Sequence, residues 1–333
     1  MNSTGKACAR AARSIGTRCR NQRRLLASVT PSGLTESLNT EDTVDGTHFG
    51  FQHVPSEKKK GMVKGVFTSV AHNYDVMNDL MSAGMHRVWK DEFVNMLGIL
   101  PGYRAGSPAP KVLDVAGGTG DIAFRMADQL RPYIFGSSPS VGSSDRSADE
   151  ESITQSGESS GSPLLTVSDI NPDMLKVGEH RAGARFPRET LDNMQFVQAD
   201  AEALPFQDDS FHLYTIAFGL RNVTDVDKAL REAYRVLKPG GRFMCLEFSR
   251  VPIEPLQKAY DWYSFNVIPA IGEAVAKDRD AYRYLVESIR MFPGQEELAE
   301  RMSLAGFKVV CHTNLTAGVV AVHSGFKMPK RTP

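Results

Sequence analysis

Between residues 111 and 121 the chain reads KVLDVAGGTGD, a short apolar run closed by glycines at 117, 118 and 120. Glycines there let a ligand approach the backbone closely, and a helix starting near Asp121 offers unpaired backbone N–H groups. Asp169 stands at the end of the next apolar run, where an acid accepts both hydroxyls of a ribose. Asp200 and Ala201 close a third run and place a carboxylate or a backbone group against an adenine edge. Together these residues fit an adenosine-bearing ligand. Gly118-x-Gly120-x-x-Ala123 also matches the dinucleotide fingerprint, whose acid lies about 20 residues downstream. Here a long Ser-rich stretch displaces Asp169 from that spacing. S-adenosylmethionine (AdoMet) methyltransferases share the first half of the geometry, and glycines that only permit a turn are a third reading. On these residues alone the three stay open.

Such residues need strands to carry them. Residues 111–116 read as a strand, followed by a tight turn and a helix over 121–130 with Ile122, Phe124, Met126 and Leu130 as its apolar positions. Residues 164–167 are a second strand, with a helix around 174–181. Residues 193–198 and 211–217 are a third and a fourth. Thr224 is the expected N-cap of the next helix, with Asp227 at its third position and Val226, Leu230, Ala233 and Leu237 at helical spacing. Pro239-Gly240-Gly241 is expected to stop that helix, ahead of strands over 242–248, 308–312 and 319–323. Strands alternating with helices predict an α/β fold with a mostly parallel sheet, whose ligand lies at the carboxyl ends of the strands near the switch point.

Composition sets the outer limits. Hydrophobic residues at 41% and charged residues at 23% exclude collagen-like and wholly disordered classes. No apolar run approaches the roughly 18 residues that a helical membrane span needs. Residues 1–35 hold seven cations, no acid and many Ser, Thr and Ala residues, the composition of a mitochondrial transit peptide. Without them 32 Lys and Arg face 39 Asp and Glu, about −7, a sign unsuited to coating nucleic acid. Residues 136–162 contain 11 Ser and four Gly among 27 and read as a disordered surface insertion. Beyond Cys8 and Cys19 only Cys245 and Cys311 remain, with no zinc spacing and no His-Glu-x-x-His pattern. No protein-held metal is expected.

Six segments then break the tie: YDVMNDL (74–80), LDVAGGTGD (113–121), DAEALPF (200–206), FGLRNV (218–223), YRVLKPGGR (234–242) and YLVESIR (284–290). Together they resemble the ubiquinone/menaquinone C-methyltransferase family, over nearly the whole of a domain placed at 62–327. The resemblance implies a class I AdoMet-dependent methyltransferase, Rossmann-like, with a seven-stranded, mostly parallel sheet whose last strand is antiparallel. It implies AdoMet as methyl donor and ring-carbon methylation of a polyprenyl benzoquinol in ubiquinone synthesis. It also implies peripheral attachment on the matrix side of the mitochondrial inner membrane, within an assembly of quinone-synthesis proteins. By motif position Thr119, Asp169, Asp200 and Ala201 become the AdoMet contacts, with Gly118 and Gly120 shaping their turn. Ala217 stands where bacterial members often carry Ser, so a hydroxyl contact there is not carried over.

A ring carbon attacks best when its hydroxyl shares or loses its proton. Arg221 and Asn222, just after the fourth strand, are the expected groups at the acceptor: Arg221 to hold a phenolate or polarise a water, Asn222 to fix the hydroxyl. Tyr74 is expected to close over the ring, and His86 is a weaker base candidate. Residues 251–293, rich in aromatics, are the candidate substrate cap, and residues 62–97 a second, helical lid. Two competing readings are a methyltransferase for another small phenol or a sterol, and a silent subunit of a quinone-synthesis complex.

Overall fold

The apolar runs lie side by side in one seven-stranded sheet. The computed structural model describes residues 46–70, 78–79, 82–98, 110–134, 163–276 and 279–329. The basic segment 1–35, Tyr74 and the Ser-rich stretch 136–162 lie outside the described residues. A hairpin comes first, β1 (Gly46–Phe49) paired antiparallel with β2 (Gln52–Pro55), then helices α1 (Ser56–Val70) and α2 (Met85–Met96). The core runs β3 (Val112–Val115), α3 (Asp121–Ile134), β4 (Leu165–Asp169), α4 (Pro172–Arg185), the short α5 (Arg188–Leu191), β5 (Met194–Gln198), β6 (Phe211–Ala217), α6 (Val226–Val236) and β7 (Leu237–Phe248). Helices α7 (Glu254–Asn266), α8 (Ile268–Ala276) and α9 (Arg279–Met291) fill the crossover to α10 (Gln295–Leu304), β8 (Lys308–Leu315) and β9 (Val320–Phe326).

The sheet order is β5-β4-β3-β6-β7-β9-β8. Strands β3 to β7 pair in parallel, and β9 is antiparallel to both its neighbours. All four residues of β3 are buried, as a central strand covered by helices on both faces requires. Val112, Leu213 and Met244 pack on one face with Phe124 and Met126 of α3. Leu113, Tyr214 and Phe243 pack on the other with Leu230 of α6 and Met302 of α10. That alternation is the period-two signature of a strand, and each large buried side chain contributes about 1.5–3 kcal/mol of transfer free energy. The chain leaves β3 and β6 to opposite sides, which opens a crevice at their carboxyl ends.

Two local expectations are corrected. The N-cap of α6 is Asp225, whose side chain accepts the Lys228 N–H, and not Thr224. Thr224 instead donates its own N–H to the Glu202 carboxylate at 2.6 Å, so it belongs to the loop ahead of the helix. Pro239, Gly240 and Gly241 do not end the helix; it stops at Val236, and they lie within β7 beside a register shift between Phe211 and Leu213. The 251–293 segment is helical, and its α9 packs on the hairpin by stacking Tyr284 on Phe49 at 4.1 Å.

Helix α4 rests directly on the glycine turn. A side chain at Gly178 would place its Cβ 2.9 Å from the Gly118 carbonyl, whereas one at the exposed Gly183 would meet nothing within 4 Å. Urea unfolding should therefore separate two equal substitutions in one helix. Gly183→Ala is expected to stabilise by about 0.5–1 kcal/mol through helix propensity. Gly178→Ala is expected to destabilise by about 1–3 kcal/mol through overpacking.

Candidate functional site

The crevice is a cleft of about 1080 Å³, open to solvent on one side. Its floor is the turn after β3, where Gly118 has φ 51° and Gly120 has φ 85°. Gly118, Thr119, Asp169, Asp200 and Ala201 all line it, so five of the six residues expected to hold the donor share one wall. Gly120 sits behind the turn, where the Phe124 ring fills the space its side chain would take.

Asp169 ties the cleft together. One carboxylate oxygen accepts the Gly118 N–H at 2.9 Å and the other accepts the Asn171 N–H at 2.8 Å. Burial raises its pKa to about 6, against the pull of the backbone N–H groups of Asn171, Gly118 and Ile170. Asn171 in turn caps α4 through the Asp173 and Met174 N–H groups, and its amide donates to Thr68 of α1 at 3.1 Å. Asp200 turns one oxygen to the Glu202 N–H and the other to the Lys60 ammonium at 2.6 Å. Lys60 is held charged by that bond, which raises its pKa. The neighbouring Lys59 is buried and donates to the Val223 carbonyl at 2.7 Å; burial lowers its pKa to about 8. Helix α1 is thereby hydrogen-bonded to Asp200, Val223 and Asn171, and its residues 62–70 fall within the 62–97 range expected for a lid.

Lys60, Lys64, Glu202, Asp114, Lys90 and Asp121 also line the cleft, and the sequence reading singled out none of these charges as a site residue. Asp114 is 1% exposed in the middle of β3. Thr215 donates to one of its oxygens at 2.7 Å, and the other has no hydrogen-bond partner among the described residues. Burial pushes its pKa up to about 7, with the Thr215 hydroxyl pulling the other way. An acid inside an otherwise apolar run was the available signal. Lys90 of α2 and Asp121 of α3 meet at 2.6 Å inside the same lining. Burial acts to raise the Asp121 pKa, but Lys90 and Arg125 outweigh it and hold it at about 2.

The expected acceptor residues divide. Asn222 lines the cleft beside Ala217, Phe218 and Gly219, and its amide oxygen accepts the Tyr284 hydroxyl at 3.0 Å. Burial raises the pKa of Tyr284 to about 12, so it stays a donor. Arg221 does not line the cleft. It is buried, pairs with Glu247 at 2.8 Å, and donates to the Phe218 carbonyl. Glu247 is itself 1% exposed, and no feature of its LEF context marked it as the partner. His86 also lies away from the cleft lining, paired with Asp79 at 2.8 Å. Among the described residues no group of three His, Cys, Asp or Glu stands ready to hold a metal.

The arrangement fits AdoMet: an acid for a ribose at Asp169, a polar edge for adenine at Asp200 and Ala201, and a bare wall at Ala217–Gly219 for a methyl group. Known proteins show the family. The chain is 47% identical over 310 residues to the mitochondrial 2-methoxy-6-polyprenyl-1,4-benzoquinol methylase of Dictyostelium discoideum, covering 92% of this chain and 94% of that protein. It is 50% identical over 294 residues to the Xenopus laevis protein of the same name, covering 87% and 92%. It is 49% identical over 290 residues to the ubiquinone/menaquinone biosynthesis C-methyltransferase of Dinoroseobacter shibae, covering 87% of this chain and all of that one. The family model described as the ubiE/COQ5 methyltransferase family matches residues 53–327, and on this agreement of motif, cleft and relatives the chain belongs to that family.

Proposed function

We propose that this chain methylates a ring carbon of 2-methoxy-6-polyprenyl-1,4-benzoquinol, giving the 5-methyl product in ubiquinone biosynthesis. Family membership makes it an AdoMet-dependent C-methyltransferase, and the substrate is the one named for its mitochondrial relatives. The observation that carries the reading is the continuity of the cleft, from the nucleoside end at Asp169 and Asp200 to the wall at Ala217, Phe218, Gly219 and Asn222.

Bound AdoMet supplies the methyl group: its S–CH3 bond breaks as the ring carbon's electron pair forms the new C–C bond, sulfur loses its positive charge, and the ring hydrogen leaves as a proton to water. The chain's task is to orient the partners and exclude solvent, a contribution worth about 7–11 kcal/mol when geometry is good. Asn222, its amide oxygen held by Tyr284 and one amide N–H donated to the Phe218 carbonyl at 3.5 Å, keeps its second N–H for a ring hydroxyl. Arg221 acts from behind. Paired with Glu247, it braces the turn from Phe218 to Asn222 and sets where Asn222 stands. Its expected direct role toward a phenolate would require that pair to open. The unpartnered Asp114 oxygen offers a place for the donor's ammonium.

The first 35 residues fit delivery to mitochondria, in keeping with the relatives' names. Among the described residues no helix is long and apolar enough to cross a membrane. Work at the matrix surface of the inner membrane, beside other quinone-synthesis proteins, is supported by the acceptor's lipid tail and by exposed apolar side chains on one helical layer. Trp262 is 65% exposed there, and Phe265 stacks on Phe51 of the hairpin turn.

Reduced short-tailed demethyl benzoquinol incubated with AdoMet should gain one methyl on carbon, read by mass spectrometry. No product from folded protein would overturn the proposal. Asn222→Ala should lower kcat by about 10- to 100-fold, as loss of a positioned hydrogen bond does, with calorimetric affinity for S-adenosylhomocysteine unchanged. Asp114 predicts a pH effect on the ligand-free protein. Its folded pKa near 7 lies above the unfolded value of 3.8, so the folded state binds more protons between them. Stability then falls as pH rises from about 4 to 7 and levels above. Asp114→Asn should flatten that slope in urea titrations across the range. Flotation with phosphatidylcholine–cardiolipin vesicles should carry the wild type upward and leave a W262S/F265S variant behind.

A further inference from the structure

Asn222 can meet a ring hydroxyl with either edge of its amide, and only one edge donates. We infer that the amino-terminal hairpin is part of the acceptor site, with Phe49 as a positioning residue that, through Tyr284, fixes the donating edge of Asn222 toward the acceptor. The inference rests on the C-methylation reading.

Two partners set the orientation of the amide. The Phe218 carbonyl can only accept, and it takes one Asn222 N–H at 3.5 Å. That carbonyl is itself held by Arg221. The Tyr284 hydroxyl donates to the amide oxygen at 3.0 Å. Turned over, the amide would set its oxygen against the Phe218 carbonyl, a contact of two acceptors. The Tyr284 bond is the shorter of the two and carries most of the choice. Burial raises the Tyr284 pKa to about 12, so its proton stays available to donate.

A hydroxyl positions another group only if its own ring is held. The Tyr284 ring stacks on Phe49 with centroids 4.1 Å apart and planes 17° apart. Such a pair is worth about 0.5–1.5 kcal/mol beyond its burial. Phe49 belongs to a hairpin fastened on both sides. Toward α9, the Glu287 carboxylate accepts the Phe51 N–H at 3.1 Å, one helical turn beyond Tyr284. Gly50, with φ 59°, passes so close that a side chain there would overlap that carboxylate. Toward the acceptor wall, the Thr47 hydroxyl donates to the Thr224 carbonyl at 3.1 Å, two residues from Asn222. The hairpin thus bridges the helix that carries Tyr284 and the turn that carries Asn222. Phe49 lies ahead of residues 53–327, the span the family model matches, and it does not line the cleft. Its effect on the reaction passes through Tyr284.

Steady-state kinetics of the full chain with AdoMet and the reduced short-tailed demethyl benzoquinol test the assignment. Tyr284→Phe removes one oxygen and keeps the stack. It should lower kcat about 3- to 10-fold, the range for one neutral hydrogen bond. Phe49→Ala should lower kcat by a similar factor, and Phe49→Tyr, which keeps a stacked ring, should restore it. In all three, calorimetric affinity for S-adenosylhomocysteine should stay within about twofold. Coupling separates positioning from a general loosening of the fold. In an Asn222→Ala background, Tyr284→Phe and Phe49→Ala should each cost less than about twofold more, because the amide they orient is gone. Losses that multiply in full in that background, or an unchanged kcat in Tyr284→Phe, would overturn the assignment and leave the C-methylation reading standing. Tyr284→Phe decides the matter whether or not Phe49→Ala folds. A wild type that turns over no quinol would remove the C-methylation reading and this inference with it.

Discussion

The cleft depends on one half-buried carboxylate. Asp169 ends β4 and accepts the Gly118 N–H from the turn that ends β3, so two neighbouring strands are joined at the point where a ligand enters. The bond does three things. It fixes a backbone bend that glycine alone would leave loose, it holds the acid in the cleft lining, and it aligns Asn171 to cap α4. Because α4 then lies with Gly178 against the Gly118 carbonyl, the turn is gripped from both sides. A pre-formed cleft floor follows from that constraint, since little of it remains to be ordered when a ligand binds.

Around it, charges in and beside the cleft lining come in compensated sets. Lys90 and Arg125 share Asp121, Lys60 reaches both Asp200 and Glu202, and Arg221 faces Glu247. Such pairs add little net stability, because desolvation offsets most of the attraction. Their value here is positional. Each pins an element that covers or borders the cleft: α2 to α3, α1 to the loop after β5, and the turn after β6 to β7. Asp114 is the exception, an acid with one oxygen left over, and it lies in the cleft wall.

The layer above the sheet links the hairpin, α1 and α9. Thr47 donates to the Thr224 carbonyl and Lys59 to that of Val223, while Tyr284 reaches down to Asn222. The hairpin, α1, α9 and the turn after β6 are thus parts of one hydrogen-bonded unit.

The strand–turn–helix opening, the order of strands and helices, and the polar residues that meet at the cleft were legible in the sequence, because glycine spacing and apolar periodicity are local properties. The residues 211–217 were read as a strand and are one. Capping was less legible: Thr224 and Asp225 are both good caps, and only the backbone angles and the competing claim of Glu202 select Asp225. The function of Arg221 was still further from local reading. From sequence it is a cation beside Asn222; in the fold it is spent on Glu247, 26 residues away. The same holds for Lys90, a lysine in an amphipathic helix until α3 brings Asp121 to it. Local chemistry determined what this protein binds, and tertiary structure decided which charges face the ligand and which face each other, because a charge's partner is set by the packing of elements far apart in the chain.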